Sequence, residues 1–219
     1  MSNAAFSSGF NEERVRTSLT TLNTNYTNLM STFQTKVQSF VTEISTQWAS
    51  PNAVKVFTEG DESIQSVIRN LAKEINTTME SVNKAINSAA ARKASDNGDI
   101  HSNVPFDDYT FSVNYSAIVK SINGNVGVDK TTATTTANKL NQIPGDTDSY
   151  LNAISSALSN SGILDATAQT ELNNSVASIR RNIKSKIESI VEGVISAIDI
   201  TVKENGDSDG AIARAFSGQ

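Results

Sequence analysis

The amino-acid sequence predicts an all-α protein in which two long antiparallel helical hairpins follow each other and form an elongated four-helix bundle. Three observations support this fold class. Apolar residues recur at steps of three and four over long stretches, short turn signals separate these stretches, and glycine and proline contribute only 11 and 3 of the 219 residues. Because a single hairpin buries only one stripe per helix, we expect two hairpins in one chain to cover each other.

The first helix is predicted to begin after Asn11, an N-cap residue followed by two glutamates. Its stripe, with an average spacing of about 3.6 residues, consists of Val15, Leu19, Leu22, Tyr26, Met30, Phe33, Val37, Phe40, Ile44 and Trp48. The stripe stops at Trp48-Ala49-Ser50-Pro51, where Ser50 and Pro51 have the residue types of an N-cap and a first helical position. A second helix is therefore expected to start there after a very short turn.

The second helix is predicted to run to a C-cap near Asn97-Gly98. Gly60 weakens its first turns, and its stripe consists of Phe57, Ile64, Ile68, Leu71, Ile75, Met79, Val82 and Ile86. Residues 1–98 are accordingly assigned to the first hairpin.

Residues 99–127 are predicted to form a connector, because Pro105 and several acidic residues and glycines break any long helix. Phe111, Val113 and Tyr115 alternate with polar residues, which is a weak strand signal, and residues 115–122 are alternatively compatible with one short helix. The length of this segment marks a boundary between two halves of the chain.

Residues 128–219 are predicted to form the second hairpin and a C-terminal tail. A helical pattern over 129–143 is interrupted at Pro144-Gly145, resumes, and turns at Ser161-Gly162. The last long stripe consists of Leu172, Ile179, Ile183, Ile187, Ile190, Val194 and Ile198, and a shift of about 115 residues aligns much of it with the second stripe. We interpret this as an internal duplication of the hairpin.

The composition excludes several kinds of active site. The chain has no cysteine and a single histidine, so thiol catalysis and sites with several cysteine or histidine ligands are excluded. The known catalytic and nucleotide-binding motifs are missing, and His101 is expected to be an exposed loop residue. Solvated acidic turns are expected at Asp99, Asp107 and Asp108. We therefore predict a protein that is not an enzyme, with no catalytic residue, cofactor or metal ligand.

Charge and hydropathy restrict the partners. A net charge of −5 disfavours nucleic-acid binding, and no apolar run reaches the 18 residues of a membrane span. Membrane contact is not expected either, because a solvated helix face is the favoured interpretation of the basic residues Arg180, Arg181, Lys184 and Lys186. The N-terminal residues also lack the apolar stretch of a secretory signal.

Trp48 is the only tryptophan and lies at the turn of the first hairpin. Its position favours a core residue that closes one end of the bundle. The alternative is a docking anchor, because tryptophan is enriched in binding hot spots.

The order of long helix, Trp48-Ala49-Ser50, Ala53, Phe57 and long helix resembles the WXG-motif family of small, ESAT-like type VII secretion substrates. The resemblance covers residues 10–98 directly and residues 129–216 loosely, and Ser50 stands where the family has glycine. The tail residues Asp209, Ile212 and Phe216 resemble the family's C-terminal export element, with Asn205 at a position where an apolar residue is expected.

The resemblance implies a cytoplasmically made protein that is secreted without a cleavable signal peptide and acts by binding other proteins. It implies that Trp48, Ser50, Ala53, Phe57 and the tail residues contribute to recognition by the secretion ATPase. A small helical partner protein is also implied, and homodimerisation is left open. On this interpretation, Trp48→Ala should impair export more than folding.

Two alternatives remain at this point: a membrane-active helical protein of the pore-forming type, and a structural four-helix-bundle subunit such as that of a filament. The connector has too few apolar residues to span a bilayer, which disfavours the first alternative.

Overall fold

The computed structural model describes residues 10–204, and helices dominate this part of the chain. Its α-helices are α1 (Glu12–Ser45), α2 (Pro51–Thr58), α3 (Ile64–Asp96), α4 (Lys130–Lys139), α5 (Ile143–Asn160) and α6 (Ala166–Glu204). A short 3-10 helix (Leu140–Gln142) lies between α4 and α5, and the strands β1 (Trp48–Ala49) and β2 (Gly127–Val128) pair with each other. The predicted all-α class is confirmed.

The ends of α1 and α3 follow the local signals in the sequence. Asn11 Oδ1 accepts a hydrogen bond from the Arg14 amide at 2.9 Å, which caps the first turn of α1. After the last turn of α3, Gly98 adopts a φ of +74°, and the Asp99 amide donates to the Ala94 carbonyl oxygen at 2.8 Å. The cap residues predicted at these two positions are confirmed.

The helix predicted to run from residue 51 to residue 97 is interrupted. α2 ends at Thr58 and α3 begins at Ile64, because Gly60 has a φ of +83°, a conformation that no right-handed helix contains. Ser63 closes the turn by donating from Oγ to the Gly60 carbonyl oxygen at 2.7 Å. Gly60 therefore ends one helix rather than weakening a continuous one.

The interruption predicted at Pro144-Gly145 does not occur. Residues 130–160 stay helical through α4, the 3-10 turn and α5. Pro144 is the second residue of α5, and a first helical turn tolerates proline because the N–H groups there have few intrahelical acceptors. Asp129 starts this helical segment by accepting from the Thr132 amide at 3.1 Å.

The connector forms neither the strand expected around Phe111 nor the alternative helix over residues 115–122. Its extended backbone is instead bound by side chains of α1. The Ser112 amide donates to Gln34 Oε1 and the Asn114 amide to Gln38 Oε1, both at 2.8 Å. Farther along, Asn123 and Gly124 have φ values of 51° and 79° and form a tight turn between Ile122 and Asn125.

The chain divides into two compact units, neither of which is contiguous in sequence. Unit 1 comprises Met1–Leu29, Ile75–Tyr109 and Ser149–Ile179, and unit 2 comprises Met30–Glu74, Thr110–Asp148 and Arg180–Gln219. The division of the sequence into residues 1–98, 99–127 and 128–219 stays a prediction.

Each unit has buried apolar residues from α1, α3, α5 and α6. In unit 1, they include Leu19, Leu22, Tyr26, Ile75, Met79, Val82, Leu151, Ile154, Leu158 and Val176. In unit 2, they include Phe33, Val37, Ile44, Ile68, Leu71, Ile143, Ile183, Ile187 and Val194, and residues of α2 and α4 join them. The stripes predicted from periodicity are thus the buried faces of the helices, apart from Leu172, which is half-buried. Among the helices of the described residues, none combines the length and the apolar character needed to cross a membrane.

Candidate functional site: the turn at Trp48

Trp48 follows α1 after a turn of two residues and lies in unit 2 with 1% of its surface exposed. It is held in β1, where Trp48 pairs with Val128 and Ala49 pairs with Gly127 in an antiparallel register. The Ser50 amide also donates to the carbonyl oxygen of Val119 at 3.2 Å. Residues that are 69 to 80 positions away in sequence therefore hold the turn in place.

Ser50 connects Trp48 to the start of α2. Its Oγ accepts from the Ala53 amide at 3.0 Å, which caps α2, and from Trp48 Nε1 at 2.8 Å. A glycine at this position would supply neither bond. Ser50 thus has a physical role in this chain, because a buried indole N–H needs an acceptor.

The side chains of the predicted motif lie together in one buried cluster. Phe57 stacks on Phe40 with the ring centroids 5.6 Å apart and meets Trp48 edge-on at 6.1 Å. Ala53 and Phe57 have no exposed surface. The interpretation of Trp48 as a core residue is therefore confirmed. The side chains of the cluster hold α2 in place and are too buried to contact a partner directly. The other predicted export residues, Asp209, Ile212 and Phe216, lie outside the described residues.

The outer side of α2 borders an open groove in unit 2. The groove has a volume of about 380 Å³ and runs between α2, the start of α3 and α6. Its lining includes Lys55, Val56, Ile64, Val67, Gly193 and Ile200. Ile200 is 47% exposed, and a Cβ atom built on Gly193 would meet no atom within 4 Å. Sequence reasoning missed this groove, and the only local signal for it is a glycine in the middle of a long helix.

A polar contact joins α1 and α4 near the same turn. Glu43 Oε1 accepts from Thr136 Oγ1 at 3.0 Å and forms an ion pair with Lys139. The hydrogen bond from the Lys139 ammonium lowers the pKa of the Glu43 carboxyl group below its ordinary value. The ionised carboxylate is therefore the form that this contact favours.

His101 is not the exposed loop residue that the sequence suggests. Its side chain is 2% exposed, and its two ring nitrogens contact Glu12 and Asn87 in unit 1. Burial raises the pKa of Glu12, but the hydrogen bonds from His101 and the Ser102 amide outweigh it, so that the pKa is lowered overall. Sequence reasoning missed this contact because Glu12 lies 89 positions away.

The other charged candidates are the acidic residues and the basic cluster of α6. Within residues 10–204, no group of three or more histidine, aspartate or glutamate side chains is placed to hold a metal ion. In the basic cluster, Arg180 Nε donates to Asp148 Oδ1 at 2.7 Å, and Lys184 lies 4.0 Å from Glu188. Acidic partners thus accompany Arg180 and Lys184.

Ser50→Ala is expected to lower the free energy of unfolding by about 2 kcal/mol, because it removes the cap of α2 and leaves the Trp48 indole N–H without an acceptor. Chemical denaturation followed by tryptophan fluorescence measures this. The matched control is Ser81→Ala, since Ser81 Oγ donates only to the Thr77 carbonyl oxygen of its own exposed helix face. Equal effects of the two substitutions would contradict the assigned role of Ser50.

A comparison of the chain with protein-family models, curated proteins and solved structures finds no match.

Proposed function

We propose that this protein is a non-enzymatic substrate or adaptor of a type VII secretion system that acts by binding other proteins. The observation that carries the proposal is the Trp48–Ser50 turn between α1 and the α2–α3 segment, in which α1 has 34 residues and α3 has 33. This is the order of elements in the WXG-motif family that the sequence resembles. Export without a cleavable signal peptide is part of the same proposal.

We further propose that the long helices form a four-helix bundle made of two hairpins in tandem. Each unit has buried stripes from four helices, α1, α3, α5 and α6, which supports this arrangement. In such a chain, the second hairpin takes the place of the dimer partner that a single WXG hairpin needs.

The recognition surface in this proposal is the exposed side of α2 together with its groove. Because Trp48, Ala53 and Phe57 are buried, a partner contacts exposed residues that line the groove instead, such as Lys55 on α2 and Ile200 on α6. The lining of the groove combines apolar residues with Lys55, Glu59 and Glu62. Protein-binding surfaces usually combine apolar and polar residues. We assign this surface to the secretion ATPase.

Export is the direct test. The protein is produced in its own host with and without the type VII membrane ATPase, and the culture medium and cells are blotted. We expect the protein in the medium only when the ATPase is present. Retention in the cells under both conditions, or release under both, would refute the proposal. A cytoplasmic protein blotted in parallel controls for lysis.

Two exposed isoleucines provide matched variants for the recognition surface. Ile200 lines the groove, whereas Ile100 is 84% exposed and is not part of its lining. We expect Ile200→Asp to reduce export severalfold and Ile100→Asp to leave it unchanged, with the helical circular dichroism of both proteins intact. If both variants are exported normally, the groove does not recognise the ATPase, even where export itself requires that enzyme.

A further inference from the structure

The buried imidazole of His101 contacts two groups that both accept hydrogen bonds. Its Nδ1 lies 2.7 Å from Glu12 Oε2 and its Nε2 lies 2.9 Å from Asn87 Oδ1. An ionised carboxylate and an amide oxygen have lone pairs and no proton to donate. If the oxygen of the Asn87 amide, and not its NH₂ group, faces the ring, both ring nitrogens must carry a proton.

A chain of hydrogen bonds determines the orientation of the Asn87 amide. It starts at the carbonyl oxygen of Pro105, which can only accept, and which receives a bond from Asn23 Nδ2 at 2.9 Å. Asn23 Oδ1 then accepts from Asn83 Nδ2 at 3.0 Å, and Asn83 Oδ1 accepts from Asn87 Nδ2 at 2.8 Å. The atom of Asn87 that remains for His101 is its oxygen.

The connector backbone fixes the same orientation independently. The Val104 amide donates to Asn87 Oδ1 at 2.9 Å, and the Val104 carbonyl oxygen accepts from Asn87 Nδ2 at 3.0 Å. If the Asn87 amide were flipped, its NH₂ group would face the Val104 N–H and its oxygen would face the Val104 carbonyl oxygen. Both lines of reasoning therefore leave Nε2 of His101 as a donor.

We propose that His101 is an imidazolium that fastens the connector to α1 and α3 in unit 1, so that this attachment weakens when the histidine loses its proton. A neutral ring has one N–H, so it can donate to Glu12 or to Asn87 but not to both. Where the bond is lost, the unprotonated ring nitrogen faces the oxygen of Glu12 or Asn87, and both buried atoms are acceptors.

The charged groups around His101 agree with this assignment. On α1, Glu12 contacts the ring directly, and Arg16 lies 3.9 Å from Glu12 Oε1 and donates to the Ser102 carbonyl oxygen at 3.2 Å. The residue of α3 that contacts the ring, Asn87, is uncharged. The lowered pKa of Glu12 keeps its carboxylate ionised when the histidine is protonated.

The state of the histidine is passed on to the connector backbone through shared partners. The Ser102 amide donates to Glu12 Oε1 at 3.0 Å, and the Val104 amide donates to the same Asn87 oxygen that His101 contacts. When the ring loses its proton, one of the two side chains, Glu12 or Asn87, loses its hydrogen bond from the ring and is held less firmly. The Ser102 and Val104 amides should then open more often.

Two measurements on the full chain test the proposal. First, ¹⁵N NMR of the ring should show both His101 nitrogens protonated in the folded protein at about pH 5. Second, the protection of the Ser102 and Val104 amides against hydrogen exchange, corrected for intrinsic rates, should fall about tenfold between about pH 5 and pH 8. The Ser112 and Asn114 amides in unit 2, which bind Gln34 and Gln38, are the internal control and should not follow this change.

His101→Gln provides the matched variant, because it keeps a polar side chain that cannot titrate. We expect the pH dependence at Ser102 and Val104 to disappear in this variant. A ring with one bare nitrogen throughout the folded pH range would overturn the proposal. Protection that is independent of pH in the unmodified protein would also overturn it, even if His101→Gln does not fold.

Discussion

Trp48→Ala is expected to lower the free energy of unfolding by about 3–5 kcal/mol, the range for removing a large aromatic side chain from a core. Trp48 is 1% exposed, contacts Phe57 edge-on and donates to Ser50 Oγ. The substitution removes all of these contacts at once and leaves a cavity between α1 and α2. Because it also removes the only tryptophan, unfolding must be followed by circular dichroism.

The matched controls for this substitution are Trp48→Phe and Ile100→Ala. Phenylalanine fills most of the space but leaves Ser50 without its indole partner, so we expect a smaller loss of stability than for alanine. Ile100 is 84% exposed, and its truncation should change the free energy of unfolding by less than about 0.5 kcal/mol. A loss of less than about 1 kcal/mol for Trp48→Ala would show that the cluster does not hold the turn. The burial of Trp48 adds this loss of stability to the expected loss of export, and which of the two is larger stays a prediction.

Asn87→Ala is expected to lower the free energy of unfolding by about 2–4 kcal/mol. The Asn87 side chain bonds both backbone groups of Val104, the ring of His101 and the side chain of Asn83. Alanine removes these bonds together and leaves buried or half-buried groups without a partner, each of which costs about 1–3 kcal/mol. Urea denaturation of the two proteins measures the difference.

Asn138→Ala is the matched control for Asn87→Ala, since Asn138 Nδ2 donates only to the Thr134 carbonyl oxygen on an exposed helix face. We expect its effect to stay below about 0.5 kcal/mol. If Asn87→Ala is no more destabilising than this control, the amide chain contributes little to stability. Its role in orienting His101 would then be tested only by the NMR measurement.

Much of the helical structure is predictable from local patterns. The 3.6-residue period of the stripes depends only on helix geometry and on which residues are apolar, so α1, α3 and α6 follow from it. Asn11, Ser50 and Gly98 mark helix ends because their side chains or their φ angles satisfy the terminal backbone groups nearby.

The connector shows where local patterns fail. Its alternation around Phe111 has the period of a strand, but the backbone partners are glutamine side chains of α1 that lie more than 70 positions away. Three asparagines have a similar role in unit 1, where Asn23, Asn76 and Asn87 donate to backbone carbonyl groups of the connector. No period in the sequence reports such contacts.

Periodicity therefore accounts for which residues form helices and which face of each helix is apolar, since both depend on neighbours within a few positions. The burial of Trp48, the groove beside α2 and the two acceptors of His101 depend on residues brought together from distant parts of the chain. Those contacts arise when apolar faces pack, and a sequence position alone does not specify its neighbours in space. The same tryptophan is compatible with a docking anchor in the sequence and is a core residue in the folded protein.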